Sequence, residues 1–192
     1  RYNNLQLAKK VSLNSAYGAL GSQYFRFYDL RMALGVTTAG QLSIRWIEKK
    51  LNEFVNKLVE TKNVDYVIAS DTDSIYLKLG PVIDKFIKDQ SDTPRIITIM
   101  DKICEDKIQP YINRSYQELA EYVHAFAQKM QMKREALADK GIWTAKKRYI
   151  LNIYNNEGVQ YAEPKMKVMG LEMVKSSTPA AIREKMKQSI KI

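Results

Sequence analysis

One cysteine and one histidine in 192 residues exclude several kinds of chemistry at once. With Cys104 alone there is no internal disulfide and no cysteine-rich zinc site, and a reducing, intracellular setting is expected. A Ser-His-Asp triad would have to use His124, which follows Tyr122-Val123 in a helical-looking stretch and reads as structural. Neither G-x-x-x-x-G-K-[ST] nor G-x-G-x-x-G occurs, so no glycine-rich phosphate loop is present. No uninterrupted apolar run approaches the roughly 18 residues that suggest a membrane span, and no signal-peptide pattern opens the chain. The expectation is a soluble protein with no membrane partner. Internal repeats and low-complexity linkers are also lacking.

The chain does have positive charge and enough apolar residues for a core. Lys and Arg number 31 against 21 Asp and Glu, and the formal charge of +10 favours a polyanionic partner, nucleic acid first. Residues 133–192 hold 13 Lys or Arg and 6 Asp or Glu, a local +7 that puts the polyanion against the C-terminal part. A composition 45% hydrophobic and 10% aromatic argues against disorder, and the length suits one domain, or one domain with a piece of a second.

Periodicity predicts a helix over residues 1–20, closed by Gly21, and a long amphipathic helix from about Leu30 to Leu58 with Ile44, Ile47, Leu51, Phe54, Val55 and Leu58 on its stripe. Gln23–Tyr28 alternates aromatics and reads as a short strand or extended connection. A hairpin follows over 65–79, then helix over 94–130 with a break near Pro110. Met132–Leu137, Ala145–Tyr154 and Val159–Met169 read as strands, the last two joined through Asn155-Asn156-Glu157-Gly158. A final helix starts after Ser177-Thr178-Pro179 and its pattern continues to Ile192. This order predicts an antiparallel α+β domain rather than a doubly wound parallel sheet.

Three constellations carry chemistry. Asp71-Thr72-Asp73-Ser74 lies between the apolar runs Tyr66–Ala69 and Ile75–Leu77, and residues two apart in a strand share a side, so Asp71 and Asp73 can converge on a hard cation such as Mg2+. Asp is also a common turn residue, and only the rigid strands on either side raise the pair above a structural turn. Lys10, Asn14 and Tyr17 share one stripe of the first helix and can offer a cation, an amide and a ring; a solvated lysine and a packed tyrosine is the plainer account on the residues alone. Lys146-Lys147-Arg148-Tyr149 has a strand-like context, in which alternation sends Lys147 and Tyr149 to one face and Lys146 and Arg148 to the other. Glu135 is a further carboxylate if its strand lies beside the hairpin, and an ion-pair partner otherwise.

K-x-x-x-N-S-x-Y-G, then D-T-D-S, then K-K-R-Y, in that order, resembles the C-terminal half of the polymerase region of family B DNA polymerases, most of all the replicative polymerases of T-even-like bacteriophages. Asn14–Gly21, Phe25–Arg31, Ala145–Tyr149, Met169–Glu172 and Ser176–Pro179 look like that group, so the likeness spans nearly the whole chain. It implies a last fingers helix at 1–21, a palm with an antiparallel sheet packed against helices at 22–178, and the start of a thumb at 179–192. It implies template-directed nucleotidyl transfer with two Mg2+ ions, Mn2+ being an alternative. Lys10 would meet the dNTP triphosphate, Asn14 would support that site and Tyr17 would check the nascent base pair. Asp73 would ligate both metals, with Asp71 and Glu135 beside them, while Lys146, Lys147, Arg148 and Tyr149 would face primer-template DNA. The implied partners are primer-template, dNTP, the remaining exonuclease, fingers and thumb domains and a sliding clamp, in the cytoplasm of an infected bacterial host. Ser70 stands where many members have glycine, and Lys133 where near relatives have an acidic residue. The family's other metal-binding aspartate belongs to a motif upstream of Lys10, so the 192 residues alone are expected not to polymerise DNA.

Two rivals remain open on the residues. A D-x-D glycosyltransferase explains Asp71 and Asp73 but not the C-terminal charge. A non-catalytic nucleic-acid-binding module explains the charge and makes the acidic turn structural.

Overall fold

The computed structural model describes residues 2–190; Arg1, at the head of the first expected helix, and Lys191-Ile192, at the end of the last, lie outside the described residues. Helix α1 runs Tyr2–Leu20 and α2 Leu30–Val59. Asp29 caps α2 in extended backbone, accepting Nε and Nη2 of the Arg31 guanidinium and the Arg31 backbone N–H at 2.9 Å, which together hold the Asp29 carboxyl below its ordinary range. Gln23–Tyr28 is not a strand. It folds as consecutive tight turns, Phe25 N–H donating to Ser22 O and Tyr28 N–H to Phe25 O at 2.9 Å. Alternating aromatics become a strand only where a partner completes the ladder, and among the described residues none pairs with this segment.

The C-terminal half of α2 is the centre of the core. Ile47, Leu51 and Val55, each four residues from the next, are 0%, 2% and 0% exposed, and each such burial stabilises by about 1.5–3 kcal/mol. Strands β1 (Val67–Asp71) and β2 (Ser74–Leu77) form an antiparallel hairpin on this helix. A short helix absent from the sequence reading, α3 (Gly80–Phe86), follows with Pro81 in its first turn and Val82 buried. Helix α4 (Thr93–Ile103) runs through a π turn at Cys104–Ile108 into α5 (Gln109–Tyr122), and Cys104, Ile108, Ile112, Tyr116 and Leu119 pack on Ile47 and Leu51. The break expected near Pro110 is therefore a bulge: Gln109 N–H reaches back five residues to Cys104 O, and the widened turn accommodates the proline without ending the helix. Helix does end at Tyr122, short of the expected 130, and His124 takes a left-handed φ of 52° beyond it.

The second sheet has the antiparallel order β3 (Ala136–Ala145), β4 (Arg148–Asn156), β5 (Val159–Met169), giving with the hairpin an α+β fold of antiparallel sheets packed against helices. Its first strand corrects the expected boundaries. It starts four residues after Met132 and continues to Ala145, because the break in alternation at Asp139-Lys140-Gly141 is taken up by a bulge between Ala138 and Lys140, beyond which pairing with β4 resumes. The turn into β5 is as expected, with left-handed Glu157 (φ 51°) and Gly158 (φ 86°) at its centre. A partly buried polar cluster ties this sheet to α4: Arg134 ion-pairs with Asp101 and donates to Asn155 Oδ1 at 2.9 Å, while Asn155 Nδ2 donates to Asp101 at 3.3 Å. Beyond β5 a 3-10 turn (Glu172–Val174) leads to α6 (Ala180–Ile190), in whose first turn the Ile182 and Arg183 N–H groups donate to Pro179 O. No described helix is long and apolar enough to cross a membrane.

Candidate functional site

The two strands of the first hairpin meet in a two-residue turn, Thr72-Asp73. Thr72 is left-handed at φ 55°, an uncommon state for a β-branched side chain, and Asp73 N–H donates to Asp71 O at 2.6 Å. Thr72 Oγ1 donates to Asp71 Oδ1 at 2.9 Å and Ser74 Oγ to Asp71 O at 3.1 Å, so the half-buried Asp71 is held from both sides while Asp73 stands exposed at the tip. Below the tip, the Ser70 hydroxyl donates to Glu48 of α2 at 3.4 Å. Two carboxylates with an open outer face fit Mg2+, which keeps several waters and takes one or two carboxylates plus substrate phosphates. Among the described residues no group of three or more His, Cys, Asp or Glu is placed to hold a metal.

Tyr76, on β2, joins the acidic hairpin to the second sheet. Its ring meets Trp143 of β3 at 5.3 Å and Tyr149 of β4 at 5.4 Å, both edge-on, and Trp143 and Tyr149 are themselves partners across the β3–β4 ladder. Burial pushes the Tyr76 hydroxyl up to about 12, helped by its hydrogen bond with Tyr149 and opposed by the one with Ser74. A line of contact thus runs from Asp71 through Ser74 and Tyr76 to Tyr149. Gly141 makes space for it, since a Cβ there would stand 2.7 Å from the Trp143 ring.

Lys146 and Lys147 are not strand residues, and the alternation expected of them does not apply. They form the turn between β3 and β4, both exposed, with Lys147 left-handed at φ 61°. Arg148 opens β4 and pairs with Glu172 at 3.4 Å. Glu172 also accepts from Lys175 at 3.0 Å, and that bond first, with Arg148 adding, holds its carboxyl below the usual range. Glu135, just before β3, is ion-paired with Lys167 of β5. Lys10, Asn14 and Tyr17 lie exposed on α1, which leans on α2, and among the described residues no hydrogen bond or ion pair links them to the hairpin.

The structure therefore gathers Asp71, Asp73 and, through Tyr76, Tyr149 and the basic turn, and holds Lys10, Asn14 and Tyr17 on a separate helix. Sequence reasoning missed Tyr76, Trp143, Lys167 and Glu172. Tyr76 gave a signal, a polar-tipped ring one residue inside an apolar strand beside the acidic turn.

The chain belongs to DNA polymerase family B. The family's model matches residues 1–93, which include the α1 stripe and the acidic hairpin. Within that family the chain is 44% identical to the DNA-directed DNA polymerase of Escherichia phage RB69, over 97% of this chain and 22% of that one. It is 42% identical to the DNA-directed DNA polymerase of Enterobacteria phage T4, over 98% and 22%, and 30% identical to the DNA polymerase alpha catalytic subunit of Trypanosoma brucei brucei, over 88% and 10%. The chain spans about a fifth of the length of the two phage relatives, 22% of each.

Proposed function

We propose that these residues are the palm segment of a template-directed DNA polymerase that transfers a nucleotide from dNTP to a primer 3′-hydroxyl in phage DNA replication, with residues 1–21 closing the fingers and 179–192 opening the thumb. Support comes above all from one observation: in a family B chain, the Tyr76 contacts fix the two carboxylates of the hairpin tip relative to the cationic turn beside Tyr149. That placement suits a polyanion whose reactive end lies at the carboxylates and whose backbone lies on the cations.

Asp73, with Asp71, holds the metal ions, two in the complete enzyme and Mg2+ by the hardness of the ligands. When bound, the ions neutralise phosphate charge and lower the pKa of the attacking hydroxyl. Thr72 and Ser74 orient Asp71 through their hydroxyls. Lys10 meets the triphosphate, Asn14 supports that site and Tyr17 reads the shape of the new pair. Lys147 and Tyr149 position the primer-template near its 3′ end. Glu135, ion-paired with Lys167, is the third carboxylate of the proposed site. The other polymerase domains, and a sliding clamp, are its partners.

The test is Asp73→Asn in a full-length polymerase carrying this segment. The expected result is loss of Mg2+-dependent primer extension with primer-template affinity retained; unchanged extension overturns the assignment. The 192-residue chain by itself is expected to bind primer-template without extending it.

A further inference from the structure

Gly170 lies directly behind the basic turn. Its φ is +68°, and a Cβ built on it would fall 2.0 Å from Lys147 O and 3.1 Å from Lys147 C, far inside any contact a real side chain makes. The backbone that follows β5 is thus pressed flat against the backbone of the turn between β3 and β4. Two residues on, Glu172 takes Arg148 at 3.4 Å and Lys175 at 3.0 Å, so the strand end on one side of the turn is held by charge and the turn itself by close approach. Lys147 needs such support, since a lysine left-handed at φ 61° is held there by its surroundings rather than by its own preference. Lys146 and Lys147 project from the supported turn with no ion-pair partner among the described residues, whereas Arg148 is engaged.

We propose that Gly170 and Glu172 are positioning residues that seat the Lys146-Lys147 turn, and that Arg148 serves as the brace of this seat while Lys146 and Lys147 meet the DNA phosphates. This rests on the reading of the turn as a primer-template contact. It divides the K-K-R-Y segment into two working cations and one structural one, which the run of like charges in the sequence does not distinguish.

The experiment is fluorescence anisotropy of labelled primer-template titrated with the 192-residue chain over a series of salt concentrations. The slope of log affinity against log salt counts phosphate contacts at about 0.9 per contact. Lys146→Ala and Lys147→Ala are each expected to lower the slope by about that amount. Gly170→Ala is expected to lower affinity and slope in the same way, and to add little on a Lys147→Ala background. Because Gly170→Ala can fail to fold, the double variant Arg148→Glu with Glu172→Arg supplies a second test that leaves the backbone and the net charge unchanged. It restores the pair with its charges exchanged and is expected to keep the parent slope, while Arg148→Glu alone loses it. If neither lysine variant changes the slope, the primer-template reading of the turn has failed and the proposal falls with it. If the lysine variants lower the slope but the exchanged pair loses a contact, or a folded Gly170→Ala binds as the parent does, the proposal alone is overturned.

Discussion

Tyr76 stands two residues past Ser74, with an aromatic edge on either side and a hydroxyl that burial keeps protonated well above its usual range. The folded-state value is raised, so its contribution to stability is complete below about 10, where a free tyrosine ionises, and is lost as pH rises toward about 12. An alkaline titration followed by tyrosinate absorbance should show a last ionisation coincident with unfolding, and Tyr76→Phe should remove that step while leaving the rings packed. Tyr76→Ala, by contrast, should separate the two sheets and lower the thermal midpoint. In the core, Leu51→Ala should cost about 2–5 kcal/mol by urea denaturation, since the residue is 2% exposed among side chains that cannot close the gap. At this scale the sequence was most informative where spacing alone sufficed. Ile47, Leu51 and Val55 were legible as core because helical spacing has one answer, and Asp71 and Asp73 as a pair because a hairpin tip has few places to put them. Glu172 was not legible, because its partner Arg148 lies 24 positions away and nothing local marks the pairing.

Among the elements, the join between α4 and the second sheet depends on a small polar cluster. Asp101 and Arg134 retain 23% and 16% side-chain exposure, so removing the acid by Asp101→Ala leaves a mostly buried guanidinium without its counter-charge. The expected cost is about 3 kcal/mol, the lower end for buried pairs given that residual exposure, read from chemical denaturation. Asp101→Asn, which can still accept a hydrogen bond, should lose less. Element boundaries were the least legible feature, for reasons specific to each. The β3 strand hides Gly141 because the need for glycine arises from a ring two residues along the same strand, and Gln23–Tyr28 alternates like a strand but lacks a neighbour to pair with. Pro110 was correctly seen as disruptive, yet one π turn absorbed it.

Across the whole molecule, charge and exposure divide the chain unevenly. A +10 protein whose surplus lies in its last 60 residues should bind duplex DNA with affinity that falls steeply as salt rises, with little dependence on sequence; binding insensitive to salt would contradict the electrostatic account. Leu5, Val11 and Leu13 of α1 and Leu30, Leu34 and Val36 of α2 are all more than 48% exposed, while α2 from Ser43 onward is packed. Hydrogen exchange should therefore be fast throughout α1 and the first turns of α2 and slowest around Ile47–Val55. The sequence told of two long helices but not that one would be supported for only half its length, since an apolar stripe looks the same with or without a partner. That half-supported helix is a lever. Ile47 to Leu30 is about 25 Å of α-helix at about 1.5 Å per residue, so a tilt of about 10° at the anchored end moves the far end, and the Lys10–Tyr17 stripe attached to it, by about 4 Å. Small strains at the core thus become displacements as large as a hydrogen bond at the place where a nucleotide would be met.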